Sequence, residues 1–294
     1  MATSTTITTT YAGQFAGEYI GASLLAGNTL ANQLITIKPN IKLKEVIKKV
    51  DYSSAIAAAD CNFDAQGGVT LTERILEPTE LQVNLELCKT PFQSDWEAES
   101  MGFSAHDNLP SKFSDFFIAR VLGDMASVTE GDIWFGTGIG GGFKGFTVLF
   151  AEAQFATDGG QTIAPAVVTA SNVLAELLYV SQNIARAYVQ SLGGFAANIG
   201  GAGIDNKGAM WYNGGAGLSI DGVQIVVANG LADNRAVLAE KSNLFFGTGL
   251  LSDHNELKVI DMADIDGSKN VRFVARYTAG VQYGIASDIV YYGA

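Results

Sequence analysis

The glycines Gly136, Gly138 and Gly141 fall in the spacing G-x-G-x-x-G, and Asp158 follows at about the distance at which a dinucleotide fold places its ribose-binding acid. Such a site needs a strand before the glycines and a helix after them, so that the pyrophosphate meets a helix N-terminus. Here a helical pattern precedes the glycines and a strand-like segment follows, and no nucleotide cofactor is expected. Asp264, Asp266, Ser268 and Asn270 alternate as calcium ligands do, but Lys269 stands where that loop needs glycine and Ala275 where it needs its last carboxylate. A solvated hairpin turn is the expectation. The two histidines, His106 and His254, lie among acidic and amide residues, outside any G-x-S-x-G or H-E-x-x-H pattern, and no G-x-x-x-x-G-K-[ST] occurs. Asp95, Glu97 and Glu99 would need a pocket to act as paired acids. Cys61 and Cys88 have neither metal-ligand spacing nor the number for a disulfide framework. No catalytic residue, no cofactor and no metal are therefore expected.

With no chemistry in view, composition narrows the class. The chain has 294 residues, a formal charge of -12, 48% hydrophobic and 16% charged residues. It is less charged than the roughly 25% typical of globular domains, so some apolar surface is expected to face another subunit. The acidity argues against tight nucleic-acid binding, which needs clustered Lys and Arg. Lys38, Lys42, Lys44, Lys48 and Lys49 form the one basic run, read as a solvated face or as an arm against an acidic neighbour. The opening MATSTTITTT lacks the charged and apolar regions of a signal peptide, and no run of about 18 apolar residues exists. A soluble protein in a reducing cytoplasm is expected.

The elements follow from periodicity. Residues 1–10 read as an extended arm. Val69 to Ile75 nearly alternates, and Leu81, Val83, Leu85 and Leu87 alternate cleanly with polar residues, which predicts two strands joined near Glu77-Pro78-Thr79 and paired as a hairpin. Phe113, Phe117, Ile118, Val121, Leu122, Met125 and Val128 predict one long helix ending near Trp134. The glycine run 136–142 terminates it. Phe146–Phe150 reads as a strand, Ala170–Leu178 as a short helix, and a further helix starts at Ser181 with Ile184, Ala187, Tyr188 and Leu192 on its apolar face. After a glycine-rich loop, 193–217, strands are expected at Val223–Ala228, Leu257–Met262 and Val271–Tyr277, the last two joined by a turn at Asp266–Lys269. The order suggests an α+β protein.

Four segments, in order, carry a resemblance: Leu71-Thr72-Glu73-Arg74-Ile75-Leu76-Glu77-Pro78, Asp132-Ile133-Trp134-Phe135-Gly136-Thr137-Gly138 with Gly145-Phe146, Tyr179-Val180-Ser181-Gln182-Asn183, and Val271 to Val281. Together they resemble the major capsid proteins of tailed double-stranded DNA phages with the HK97-type fold. The resemblance implies an N-terminal arm (1–50), an extended β-hairpin loop (51–92), a peripheral domain (93–165) with a spine helix at 112–134, an axial domain (166–250) and return strands (251–294). It implies a structural role and no enzymatic one: pentamers and hexamers closing into an icosahedral head around the genome, in a virion assembled in the host cytoplasm. The partner is the chain itself, with portal, scaffolding or decoration proteins as further partners and enclosed DNA held without specific readout. No long charged helical segment precedes the arm, so a fused scaffolding region is expected to be absent or already removed. No lysine lies between Asp51 and Cys88, so the lysine crosslink of some relatives is not expected. The alternatives are an encapsulin-like nanocompartment shell, an enzyme of another fold, and an exported surface-layer or adhesin module.

Apolar residues in segments without an evident core of their own are the candidate intersubunit contacts: Tyr11, Phe15 and Tyr19 on the arm, and Leu81, Val83, Leu85 and Leu87 on the strand. On that reading Val83→Asp blocks assembly and leaves the monomer folded.

Overall fold

A computed structural model describes residues 10–12, 27–52, 68–88, 111–163, 177–191, 218–220, 223–249 and 256–293. In chain order its strands and helices are β1 (Thr10–Ala12), α1 (Asn28–Ala31), β2 (Thr36–Lys38), β3 (Glu45–Tyr52), β4 (Val69–Leu76), β5 (Thr79–Cys88), α2 (Ser111–Phe135), α3 (Phe146–Ala151), α4 (Ala153–Thr157), β6 (Gln161–Ile163), β7 (Leu177–Val180) and α5 (Gln182–Ser191). The chain continues with β8 (Ser219–Ile220), β9 (Val223–Val227), β10 (Ala236–Ala239), β11 (Leu244–Thr248), β12 (Glu256–Asp261), α6 (Ala263–Asp266), β13 (Asn270–Tyr283) and β14 (Val290–Tyr292).

Every second residue of β13 from Val271 to Tyr283 is buried, the period of a strand with one face on a core. This strand organises the first sheet. β12 pairs with it antiparallel on one side, and β1 lies beyond β12. On that same side β11 runs along the end of β13, from Thr248 opposite Ala279 to Leu244 opposite Tyr283, while on the other side β5 runs antiparallel from Cys88 opposite Asn270 to Thr79 opposite Ala279. β2 pairs parallel with β11. The second sheet runs β6-β14-β10-β7-β9-β8. The third element is a two-stranded ribbon of β3 and β4. The strands predicted on either side of Pro78 both form, but they do not pair with each other: β4 joins β3 and β5 joins β13, so the expected hairpin is corrected. Alternation fixes which face a strand buries and says nothing about its partner.

The long helix α2 spans 25 residues, roughly 37 Å at 1.5 Å per residue. Ile118, Val121 and Met125 are buried as expected, whereas Val128 is exposed. Over the last turns the buried face rotates towards Glu130, Ile133 and Trp134, which leaves Val128 outside it. The side chains of Phe113 and Phe117 lie outside the described residues. Trp134 sits 5.5 Å from Phe146 and 5.2 Å from Tyr179 between ring centroids, and Phe150 lies within 6 Å of Phe155, Tyr283 and Tyr291. This aromatic core joins the two sheets. A buried polar node secures α1 to it: Glu130 Oε2 accepts the Thr29 backbone N–H at 3.0 Å, the Thr29 hydroxyl donates to Glu130 Oε1 at 2.5 Å, and the Trp134 indole N–H donates to Thr29 Oγ1 at 2.8 Å. Beside it, burial pushes the Tyr277 phenol up, against a hydrogen bond with Thr129 that lowers it.

Phe146–Phe150, expected as a strand, is the helix α3. Its buried residues Phe146, Leu149 and Phe150 have helical spacing, and this packing overrides the β propensity of the segment. Of the expected helix Ala170–Leu178, residues 170–176 lie outside the described residues and Leu177 and Leu178 open β7. In α5, Ser181 directly precedes the first turn as expected, Ile184 and Tyr188 pack inward, and Ala185 is buried while Ala187 is exposed. Leu192 and the 193–217 loop lie outside the described residues. The turn before β13 is α6 closed by Gly267 at φ +71, with the Ser268 N–H on Asp266 Oδ1 at 2.9 Å. The hydrogen bonds from Ser268 hold the Asp266 carboxyl below the usual range.

At the end of α2 the backbone doubles back tightly. The Gly136 N–H bonds Asp132 O at 2.9 Å and the Gly145 N–H bonds Gly136 O at 2.7 Å. A Cβ on Gly145 would lie 2.5 Å from Gly136 N and 2.6 Å from Asp132 O, both backbone atoms that cannot swing away. Gly145→Ala should therefore destabilise the chain by about 1–3 kcal/mol in denaturant unfolding. Gly123→Ala, in the same helix with nothing within 4 Å, should stabilise it by roughly 0.5–1 kcal/mol. The two glycines thus give opposite signs from one substitution type.

Candidate assembly surfaces

Opposite residues of an antiparallel pair share a face, so the register of the ribbon defines its two sides. One side carries Val46 opposite Ile75, Lys48 opposite Glu73 and Val50 opposite Leu71, with Val69 beyond. The other carries Glu45 opposite Leu76, Ile47 opposite Arg74 and Lys49 opposite Thr72. Burial is inverted relative to the usual rule. The apolar side faces solvent, with Val69 68% and Leu71 60% exposed and Val46, Val50 and Ile75 also exposed, while Glu45, Ile47, Lys49 and Arg74 are half-buried. Eight residues of each strand make the ribbon roughly 26 Å long at about 3.3 Å per residue.

The mixed side is turned inward by contacts at the root. Leu76 is fully buried, close enough to Gly247 that a Cβ there would meet its side chain at 2.9 Å. Arg74 forms an ion pair with Asp158 and its guanidinium carbon lies 4.0 Å from the centre of the Tyr283 ring. Gln282 Nε2 donates to Ile75 O at 3.1 Å. Lys38 pairs with Glu45, and Lys44 with Glu77 at 3.0 Å. The expected basic run is thus partly consumed in fixing the ribbon.

The sequence-predicted contact residues are dispersed. Tyr11 stands in β1, opposite Leu257. Phe15 and Tyr19 lie outside the described residues. Leu81 and Val83 are half-buried and pack against the chain's own core, Leu87 is half-buried, and Leu85 is exposed. Because Val83 touches that core, Val83→Asp would damage folding as well as assembly, and the substitution does not separate the two. The ribbon's apolar side is not among the sequence-predicted contacts. Its signal was the alternation of Val69, Leu71 and Ile75 matched by Val46 and Val50 upstream, with Lys48 interrupting the second set.

His106, His254, Cys61, Asp95, Glu97 and Glu99 lie outside the described residues. Cys88 is exposed at the end of β5. Among the described residues no group of three or more His, Cys, Asp or Glu is disposed to hold a metal ion, and no helix is long and apolar enough to cross a membrane. Asp132, at the end of α2, is held above the usual carboxylate range by burial.

The described residues form a mixed helix and strand fold that matches the folds of solved phage capsid structures. The chain is similar to the capsid of a native GTA particle, with 12% identity over 99% of this chain and 94% of that one at a TM-score of 0.57. It is similar to the procapsid of satellite phage P4 with its size determination (Sid) protein, with 10% identity, 94% and 89% coverage and a TM-score of 0.56. The structure of Gordonia phage Cozz matches with 13% identity, 90% and 85% coverage and a TM-score of 0.52. No family model matches the chain, and no curated protein matches it. At these identities the likeness is one of fold.

Proposed function

We propose that this chain is a major capsid protein, a structural subunit that assembles into pentamers and hexamers and closes into an icosahedral shell around a phage genome. The observation that carries this reading is the ribbon: a fixed, solvent-facing apolar side on a chain with a capsid fold. A two-stranded ribbon is marginal alone and gains order when a neighbour covers it. Covering each half-exposed Val, Leu or Ile contributes about 1 kcal/mol, so five of them supply enough for a weak contact that becomes strong when repeated around a closed ring.

In this reading the extended loop that lies across an adjacent copy is β3 with β4 and not the whole of residues 51–92, since β5 pairs with β13; α2 is the spine helix of the peripheral domain, and the sheet from β6 to β8 belongs to the axial domain. The arm with Tyr11, Phe15 and Tyr19, and the exposed Leu85 beside Leu81, Val83 and Leu87, remain further contact candidates. The net charge of -12 suits an inner wall that repels DNA, so a genome can be packed and released without sticking. Portal, scaffolding or decoration proteins would meet the assembled shell, and the protein would be found in the virion after assembly in the host cytoplasm.

Negative-stain electron microscopy with light scattering on the purified chain tests the reading. Closed shells, or rings of five and six, are the expected result. A homogeneous 30.9 kDa monomer across salt and concentration would overturn it.

A further inference from the structure

A ribbon held only at its last residue pair is free to pivot, and anchors spread along it give it a direction. Leu76 is the first, fully buried and covering Gly247 together with Ile41, with the Ile75 carbonyl beside it held by Gln282. Arg74 is the second, two residues further out on the same side. Two separately fixed groups hold its side chain. Tyr283 closes β13 and is wedged against Phe150 and Phe155 at 5.6 and 5.4 Å, and its ring supports the guanidinium plane. Asp158 follows the last turn of α4, with its backbone N–H on Gln154 O at 3.0 Å. While one Asp158 oxygen meets Arg74, the other accepts from Gln154 Nε2 at 2.8 Å, so the carboxylate is oriented before it meets the arginine.

We propose that Arg74, Tyr283 and Asp158 form a clamp that sets the angle at which the ribbon leaves the body, and through it the curvature at which neighbouring copies join. The proposal rests on the shell-protein reading. The lever is short: Arg74 stands roughly 7 Å beyond Leu76, so a 1 Å displacement there turns the ribbon by about 9° and moves its far end by about 4 Å. A change of that size at every contact alters how many copies close a shell. Arginine suits the position because its planar fork stacks and bonds at once, which an ammonium cannot do.

The test uses the full chain with Arg74→Lys, Asp158→Asn and the conservative control Tyr283→Phe. Hydrogen–deuterium exchange is read on the unassembled chain, and shell diameter by electron microscopy after assembly. Arg74→Lys and Asp158→Asn should speed exchange of the β4 amides nearest the root about tenfold, leave β13 amides at the unaltered rate, and give shells of broadened diameter. Tyr283→Phe keeps the ring against Arg74 and loses only the hydroxyl's hydrogen bond to it, and should change both readouts less than either of the other two variants. Unaltered exchange in both variants sinks the clamp, and faster exchange with uniform, unaltered diameters sinks its role in curvature. Absence of shells even from the unaltered chain sinks the shell reading instead, and exchange still reports on the clamp.

Discussion

A chain carrying Val50→Lys together with Leu71→Glu should fold normally and form no shells. The two positions face each other across the ribbon, next to the Lys48 and Glu73 pair. Replacing them with opposite charges keeps a favourable cross-strand pair, whereas two like charges would push the strands apart. Both side chains are exposed, so the fold loses little, and thermal unfolding should stay close to that of the unaltered chain. Assembly is different. A neighbour that covered Val50 and Leu71 would now have to strip water from two ions. That desolvation costs several kcal/mol per ion where burial is complete, against the ~2 kcal/mol that the two apolar side chains contribute. The penalty recurs at every contact in a ring. Light scattering should report the monomer mass and micrographs no particles; normal shells from this double variant would show that the apolar side is not a contact.

The largest effect on the subunit itself is expected at Trp134. Its side chain is fully buried, packs on Phe146 and Tyr179, and donates to Thr29 Oγ1. Trp134→Ala should cost about 3–5 kcal/mol, a large share of the roughly 5–15 kcal/mol available to a domain, and yield little soluble chain. Trp134→Phe separates packing from hydrogen bonding: it keeps most of the ring and loses the N–H, leaving Thr29 with Glu130 alone, and should cost about 1–2 kcal/mol. Equal losses for the two variants, in urea unfolding, would show that the indole N–H rather than ring packing dominates.

Much of this fold could be read from the chain because its long elements repeat strongly. The stripe Ile118, Val121 and Met125 marks α2, and the period of two marks β4, β5 and β13. Pairing was not readable. Leu81 to Leu87 alternates as an exposed hairpin would, and only the meeting with Asn270 to Ala279, far along the chain, makes it a strand of the central sheet. The same gap hid the contact surface. Val46 and Val50 are separated by Lys48 and look like fragments until β4 supplies Leu71 and Ile75 on the same side. Phe146–Ala151 misled for another reason: phenylalanine, threonine and valine favour strands locally, and the pocket lined by Trp134 and Tyr283 selects the helix.

β13 has a mechanical consequence. Pulled along its length, a strand flanked by β12 and then β11 on one side and by β5 on the other loads many backbone hydrogen bonds together, so none can part until most do. The ribbon, pulled apart at its far end, opens one pair at a time from Tyr52 and Val69 towards Leu76. Strain on such a subunit would thus be relieved by peeling at its periphery, and the central sheet would keep its shape while the joints between copies gave way.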